Sequence, residues 1–98
     1  MVKNKYILGT AVKITALLNV DTATSAKITI EDSGENLIID SADMTKDADG
    51  KYSYIFQSNS TWTIEGDYVA TMEISYGGYT AVVQEKMEFY KWEGASTK

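Results

Sequence analysis

The sequence lacks cysteine, histidine, proline and arginine, so all nine of its basic residues are lysines. Without cysteine there is no disulfide, thiolate nucleophile or cysteine-ligated zinc or iron–sulfur site. Without histidine the commonest general base and transition-metal ligand are missing, which excludes Ser-His-Asp and Cys-His catalysis. The guanidinium fork that binds phosphate bidentately is also absent, and the net charge is −5. Nucleic acid is therefore not an expected partner.

The length and composition predict one folded domain over residues 1–98. The chain has 98 residues, of which 44% are hydrophobic and 23% charged, as in an ordinary globular domain. No apolar run approaches the roughly 18 residues of a membrane span, and the apolar run near the N-terminus is too short for a signal-peptide core. We therefore expect no membrane insertion. The polar tail, residues 93–98, is expected to fray.

The hydrophobic pattern has a period of two, which is typical of half-buried strands. Turn signals separate the alternating segments, and the paired glycines at 77–78 predict a hairpin. Residues 41–46 have no clear alternation and are predicted to form a loop. The predicted strands cover residues 6–8, 12–20, 26–31, 37–39, 51–57, 68–74 and 79–92. About seven short antiparallel strands predict an all-β immunoglobulin-like sandwich with Greek-key connections, with a small barrel as the alternative.

Four segments, residues 6–14, 28–34, 49–54 and 66–70, carry a family resemblance. In order and spacing they resemble the immunoglobulin-like domains of bacterial and archaeal surface proteins, phage structural proteins and macroglobulins. The resemblance implies the same sandwich, with Tyr68 as a tyrosine corner. The chain departs from antibody domains because Ala70 stands where the second core cysteine would be. In addition, Trp62 and Trp92 lie outside the third strand.

Acidic residues around a glycine turn form the first candidate site. Asp43, Asp47 and Asp49 precede or flank Gly50, and carboxylate oxygens on a tight turn suit calcium. The spacing does not match an EF-hand, and Asp and Gly are equally typical of a plain hairpin turn. The sequence indicates no catalytic residue and no cofactor, and we expect no enzyme activity.

Aromatic side chains form the second candidate site. Their phase predicts partial exposure, which suits protein contact or stacking on sugar rings, although such residues also simply cover sheet edges. These residues are Trp62, Tyr76, Tyr79, Tyr90 and Trp92. The third candidate is an unpaired strand edge, which can add a strand from a neighbouring molecule.

Together these features predict a non-catalytic structural or interaction module. We expect this module in a virus particle or a cell-surface assembly. Of the two locations, the virus particle is favoured, because the chain is a self-contained domain without a signal peptide or disulfide. Its expected partners are proteins, through self-association or attachment to a larger assembly. The alternative is a ligand-binding module, for carbohydrate or calcium, excised from a larger secreted protein. The fold alone does not decide between them.

Overall fold

A computed structural model describes residues 4–91 and shows an all-β chain. Seven of its eight strands overlap the predicted ones, although several ends differ: the strand predicted over 12–20 ends at Leu17, and the one predicted over 37–39 extends to Asp43. Among the described residues, no helix has the length and hydrophobicity needed to cross a membrane. The strands are β1 (Asn4–Ile7), β2 (Ala11–Leu17), β3 (Ser25–Glu31), β4 (Leu37–Asp43), β5 (Thr45–Ala48), β6 (Lys51–Gln57), β7 (Gly66–Tyr76) and β8 (Tyr79–Tyr90).

The strands form two sheets that pack face to face. The larger sheet has five strands in the order β1-β8-β7-β3-β4, and the smaller has three in the order β2-β6-β5. Neighbours are antiparallel except β1 and β8, which run parallel. The chain repeatedly crosses between sheets, and the last hairpin lies beside β3 while β2 pairs with β6. This is the Greek-key arrangement of an immunoglobulin-like sandwich, so the predicted fold class is confirmed.

The predicted loop at residues 41–46 is wrong, because these residues complete β4 and begin β5. Asp43 lies opposite Lys27 of β3, and the backbone N–H of the buried Met44 donates to the Ala26 carbonyl at 2.9 Å. Ser41 has φ 52°, and the register between β3 and β4 shifts nearby. The segment lacks a period-two pattern because β4 is an irregular edge strand with little buried surface. The strand that the sequence did not predict is β5, which forms an edge of the smaller sheet.

The core lies between the sheets and follows the predicted strand phase. In β2, Val12, Ile14 and Ala16 are buried while Ala11 and Lys13 are exposed. In β7, the alternate residues Tyr68, Ala70, Met72 and Ile74 are fully buried against them. No buried side-chain nitrogen or oxygen of the described residues lacks a hydrogen-bond partner. The interior is therefore apolar and fully satisfied.

Gly50 is required where the β5–β6 turn meets the end of β2. Its N–H donates to the Asp21 carbonyl at 2.8 Å, and its carbonyl accepts from the Leu18 N–H at 2.7 Å. Its φ is 73°, and a Cβ atom there would lie 2.9 Å from the Leu18 carbonyl oxygen. A glycine is needed both for the left-handed conformation and for this close approach. The turn at Asp49 and Gly50 is thus part of the packing of the smaller sheet.

We predict that Val12→Asp unfolds the domain. It places an unpaired charge between the sheets, at a cost of about 3–5 kcal/mol, which approaches the whole stability of a small domain. The matched control is Ala11→Asp, one residue earlier on the exposed face of the same strand. Circular dichroism with urea titration measures both variants. Equal stability of the two would contradict the strand phase.

Candidate functional site

The three acidic residues of the proposed calcium turn each face a different lysine. Lys27 Nζ lies 2.6 Å from Asp43, Lys13 Nζ lies 3.2 Å from Asp47, and Lys46 Nζ lies 3.3 Å from Asp49. The carboxylates diverge because Asp43 ends β4, Asp47 lies in β5 and Asp49 lies in the following turn. Over residues 4–91 no three acidic groups come together as a metal site. The structure therefore does not assemble the predicted calcium site.

The carboxylate of Asp47 contacts residues of two neighbouring strands. A hydrogen bond from the Ser53 hydroxyl, followed by the contact with Lys13, holds the pKa of Asp47 below its usual value. The carboxylate links β5 to the other two strands of the smaller sheet, since Ser53 belongs to β6 and Lys13 to β2. Its ionised form is satisfied by these neighbours.

The candidate aromatic residues do not form one surface. Trp62 lies near the start of β7, whereas Tyr76 and Tyr79 flank the turn at its far end, about 33 Å away for an eleven-residue strand. Tyr76 and Tyr79 have ring centroids 6.5 Å apart. Tyr90 is exposed near the end of β8, opposite Ile7 of β1. Trp92 lies outside the described residues.

Trp62 is half-buried in an aromatic cluster. Its ring lies 6.1 Å from Phe56 and 6.4 Å from Tyr68, with the last pair nearly parallel at 19°. Tyr68 in turn contacts Phe89 at 4.8 Å. The Tyr68 hydroxyl donates to the Ile64 carbonyl at 2.7 Å, which is the hydrogen bond of a tyrosine corner. Trp62 therefore packs on the residue that fixes the entry into β7.

A groove opens beside this cluster, between the β3–β4 turn and the segment that leads into β7. It has a volume of about 420 Å³, within the range of small-molecule sites. Its walls combine apolar side chains with an aspartate and two threonines: Asp32, Leu37, Ile38, Thr61, Trp62, Thr63, Ile64 and Tyr68. Sequence reasoning identified Trp62 but missed Leu37 and Ile64. Nothing in the sequence places these two residues side by side, because the turn and the link come together only in the fold.

Asp32 holds the β3–β4 wall of the groove in place. Its carboxylate accepts from the backbone N–H groups of Gly34 and Asn36 at 2.9 and 3.0 Å, and from the Asn36 side chain. Burial acts to raise the pKa of Asp32, but the hydrogen bonds from Asn36 and Gly34 outweigh it and hold the pKa below the usual value. Burial and the Asp32 charge raise the pKa of Tyr68, so its hydroxyl stays protonated as a donor.

A second apolar surface lies at the far end of the β7–β8 hairpin. We define the tip surface as Tyr76, Tyr79, Ala81 and Val83, which share the sheet face that points toward the smaller sheet. Further along the same face Met87 and Phe89 are fully buried, whereas Val83 is 39% exposed and Tyr79 is 73% exposed. The smaller sheet therefore does not cover this end of β8. Sequence reasoning identified both tyrosines but missed Val83.

We predict that Asp32→Ala destabilises the domain by about 1–3 kcal/mol at pH 7, because several hydrogen bonds to a charged acceptor are lost. Since the folded pKa is depressed, the stabilisation by Asp32 is complete above its unfolded pKa, about 3.9. It is lost as the pH falls through the folded pKa. The difference between wild type and variant should therefore shrink below about pH 4.

Urea unfolding between pH 2 and 8 measures this difference. The control is Asp21→Ala, which removes an exposed carboxylate and should change stability by less than about 0.5 kcal/mol. A gap between wild type and Asp32→Ala that stays constant down to pH 2 would show that the charge of Asp32 does not stabilise the turn.

Comparison with known proteins found no match for this chain. No family model, no curated protein and no solved structure matches the chain. The groove and the tip surface are therefore characterised by their own residues and geometry.

Proposed function

We propose that this chain is a non-catalytic structural or interaction module that binds a protein partner through the tip surface. The partner belongs to a larger assembly, a virus particle or a cell surface. The observation that carries the proposal is the exposure of Tyr79 and Val83 on a face where Met87 and Phe89, further along β8, are fully buried. Placement in a virion or at a cell surface rests on the resemblance of residues 6–14, 28–34, 49–54 and 66–70.

The chemistry of the tip surface suits an apolar protein contact. Its four side chains are uncharged, and Tyr79 lies opposite Tyr76 while Val83 lies opposite Met72. Tyrosine is enriched among residues that dominate binding energy, because it buries a large rigid ring and keeps a hydroxyl for hydrogen bonding. We therefore expect an apolar, uncharged patch on the partner.

Other exposed apolar residues are placed differently. Leu17 and Ile55 lie on the outer face of the smaller sheet, and each is directly opposite a lysine of the neighbouring strand. Leu17 is paired with Lys51, and Ile55 with Lys13. Charged neighbours keep water near isolated apolar side chains, which are common on protein surfaces. These two residues therefore serve as matched controls for the tip surface.

We predict that the double variant Tyr79→Ser/Val83→Thr loses co-sedimentation with particles or envelope fractions of the source organism by about tenfold or more. Loss of about 1.4 kcal/mol at the contact gives that factor. The control double variant is Leu17→Ser/Ile55→Thr, whose targets are 76% and 57% exposed. Tagged protein is added to each fraction and quantified in the pellet. Equal recovery of wild type and the tip variant would contradict the proposal.

The non-catalytic part of the proposal has its own test. A hydrolytic activity that Asp49→Asn or Glu85→Gln abolished would make the chain an enzyme.

The groove supports carbohydrate binding as a second candidate function. A half-buried indole beside polar groups from Asp32, Thr61 and Thr63 is the combination that sugar recognition uses, since the ring stacks on the sugar face. The separated carboxylates give calcium binding no comparable support.

We predict that a groove-bound sugar changes the fluorescence of Trp62. The titration uses the Trp92→Phe background, so that Trp62 is the sole tryptophan. A panel of mono- and disaccharides should include one that gives a saturable change, and Thr63→Ala should weaken it. The tip variant Tyr79→Ser should give the same fluorescence response to this panel as the protein without that substitution. A flat response to every sugar would exclude this candidate.

A further inference from the structure

Among residues 4–91, no strand pairs with the outer edge of β8 over most of its length. Strand β1 pairs with β8 only from Met87 to Tyr90. Residues 79–86, which we call the open edge, have β7 on one side and no described strand on the other. An unpaired edge presents backbone donors and acceptors to any strand that can align with it.

The hairpin turn fixes which backbone groups face outward. Gly77 and Gly78 have φ values of 54° and 83°, so Tyr76 and Tyr79 flank a two-residue turn and exchange hydrogen bonds. Antiparallel pairs alternate, so odd-numbered residues of β8 bond to β7 and even-numbered residues point away from it. The carbonyl of Tyr90 fits this alternation, since it accepts from the Leu8 N–H on the β1 side at 2.8 Å. Thr80, Val82 and Gln84 therefore direct their N–H and C=O groups to the open edge.

Most of the open edge, residues 79–84, lacks the features that protect other described edges. Strands β4 and β5 have irregular registers and carry charged residues such as Asp40 and Lys46, and β2 carries Lys13. Charges and irregularities of this kind discourage pairing with another molecule. By contrast, residues 79–84 carry no charge, and the first charged residue, Glu85, lies near the place where β1 begins.

We infer that the occupant of this edge is a second copy of the chain, paired antiparallel, β8 against β8, about a two-fold axis at Val82. In this arrangement Val82 faces Val82 of the second copy, and Thr80 faces Gln84. All outward N–H and C=O groups of these residues then find a partner in the other copy. The two larger sheets become one continuous sheet. The inference rests on the proposed function, because it names one partner of the interaction module.

The position of β1 selects this register. With the axis at Val82, Tyr79 of one copy reaches Glu85 of the other, and its Gly77–Gly78 turn falls where β1 begins. Moving the axis to Val83 would bring Tyr79 opposite Met87, which already pairs with Asn4 of β1. An axis at Val82 is therefore the longest pairing of the open edges that leaves β1 in place.

The uncharged part of this edge permits contact with a second copy. Each chain carries −5, so two copies repel at long range, and a neutral contact is the kind that adds no like charges at short range. The pairing sets neutral residues against neutral residues over positions 80–84, sets Tyr79 against Glu85, and places no like charges directly opposite each other. It also covers Val82, which is 59% exposed. The contact is small, so we expect a weak dimer that dissociates on dilution.

The test is the solution mass of the full chain by sedimentation equilibrium from micromolar to millimolar concentration. We expect the wild-type mass to rise from 10.8 kDa towards twice that value. Val82→Lys should stay monomeric, because it sets like charges together at the axis. Ile55→Lys, at a similarly exposed site on the other sheet, should dimerise as wild type does. Val82→Pro replaces Val82→Lys if that variant does not fold, because it removes an outward N–H, fixes φ at this position and is a substitution that edge strands tolerate.

A charge-swap mixture tests the axis itself. Val82→Lys and Val82→Glu should each be monomeric alone and should dimerise when mixed in equal amounts, because opposite charges then meet at the axis. A wild type that stays monomeric throughout, a dimer that Val82→Lys leaves intact, or a mixture that stays monomeric would overturn the inference. A monomer that still co-sediments with its assembly would contradict the dimer but support the proposed function. A dimer that does not co-sediment would support the dimer but contradict the proposed function.

Discussion

The hydrogen bond from the Tyr68 hydroxyl to the Ile64 carbonyl fixes the corner where the chain passes from the smaller sheet into β7. The ring of Tyr68 is buried between Phe89 and Trp62, so the same residue anchors the link and fills the core. Because the hydroxyl is satisfied, a polar group can lie deep in an apolar interior at little cost. The groove depends on this corner, since its floor is Tyr68 and one wall is the segment that Tyr68 holds.

The unequal size of the two sheets determines the rest of the surface. A three-stranded sheet cannot cover a five-stranded one, and the uncovered part falls on the turn end of β8. There the inner face of the larger sheet emerges into solvent as the tip surface. Among the described residues, the short β1 pairs with only the last part of β8, so no described strand pairs with the turn end of β8 on that side. An exposed apolar face and an unpaired edge thus lie at the same end of β8, and the proposed contacts use both.

The described aspartates make separate local contacts and do not gather into a metal site. Asp32 organises a turn through backbone hydrogen bonds, and Asp47 joins three strands of the smaller sheet through Ser53 and Lys13. Asp43 and Asp49 are exposed partners of lysines, which in water contribute little each. A cluster of aspartates in the sequence therefore became separate local contacts once the strands turned their side chains in different directions.

The sequence by itself determined the all-β class, the phase of the core strands and the tyrosine corner. These follow from local rules: side chains alternate along a strand, paired glycines permit a tight turn, and a tyrosine at the start of β7 finds a carbonyl a few residues upstream. Only the tertiary structure decided that residues 41–46 belong to two edge strands, that the aspartates diverge, and that Leu37 and Ile64 line the same groove. These outcomes depend on which strands become neighbours and how far each one extends. Residues that are distant in the chain determine both the strand neighbours and the strand lengths. The pattern within a single segment therefore does not predict these outcomes.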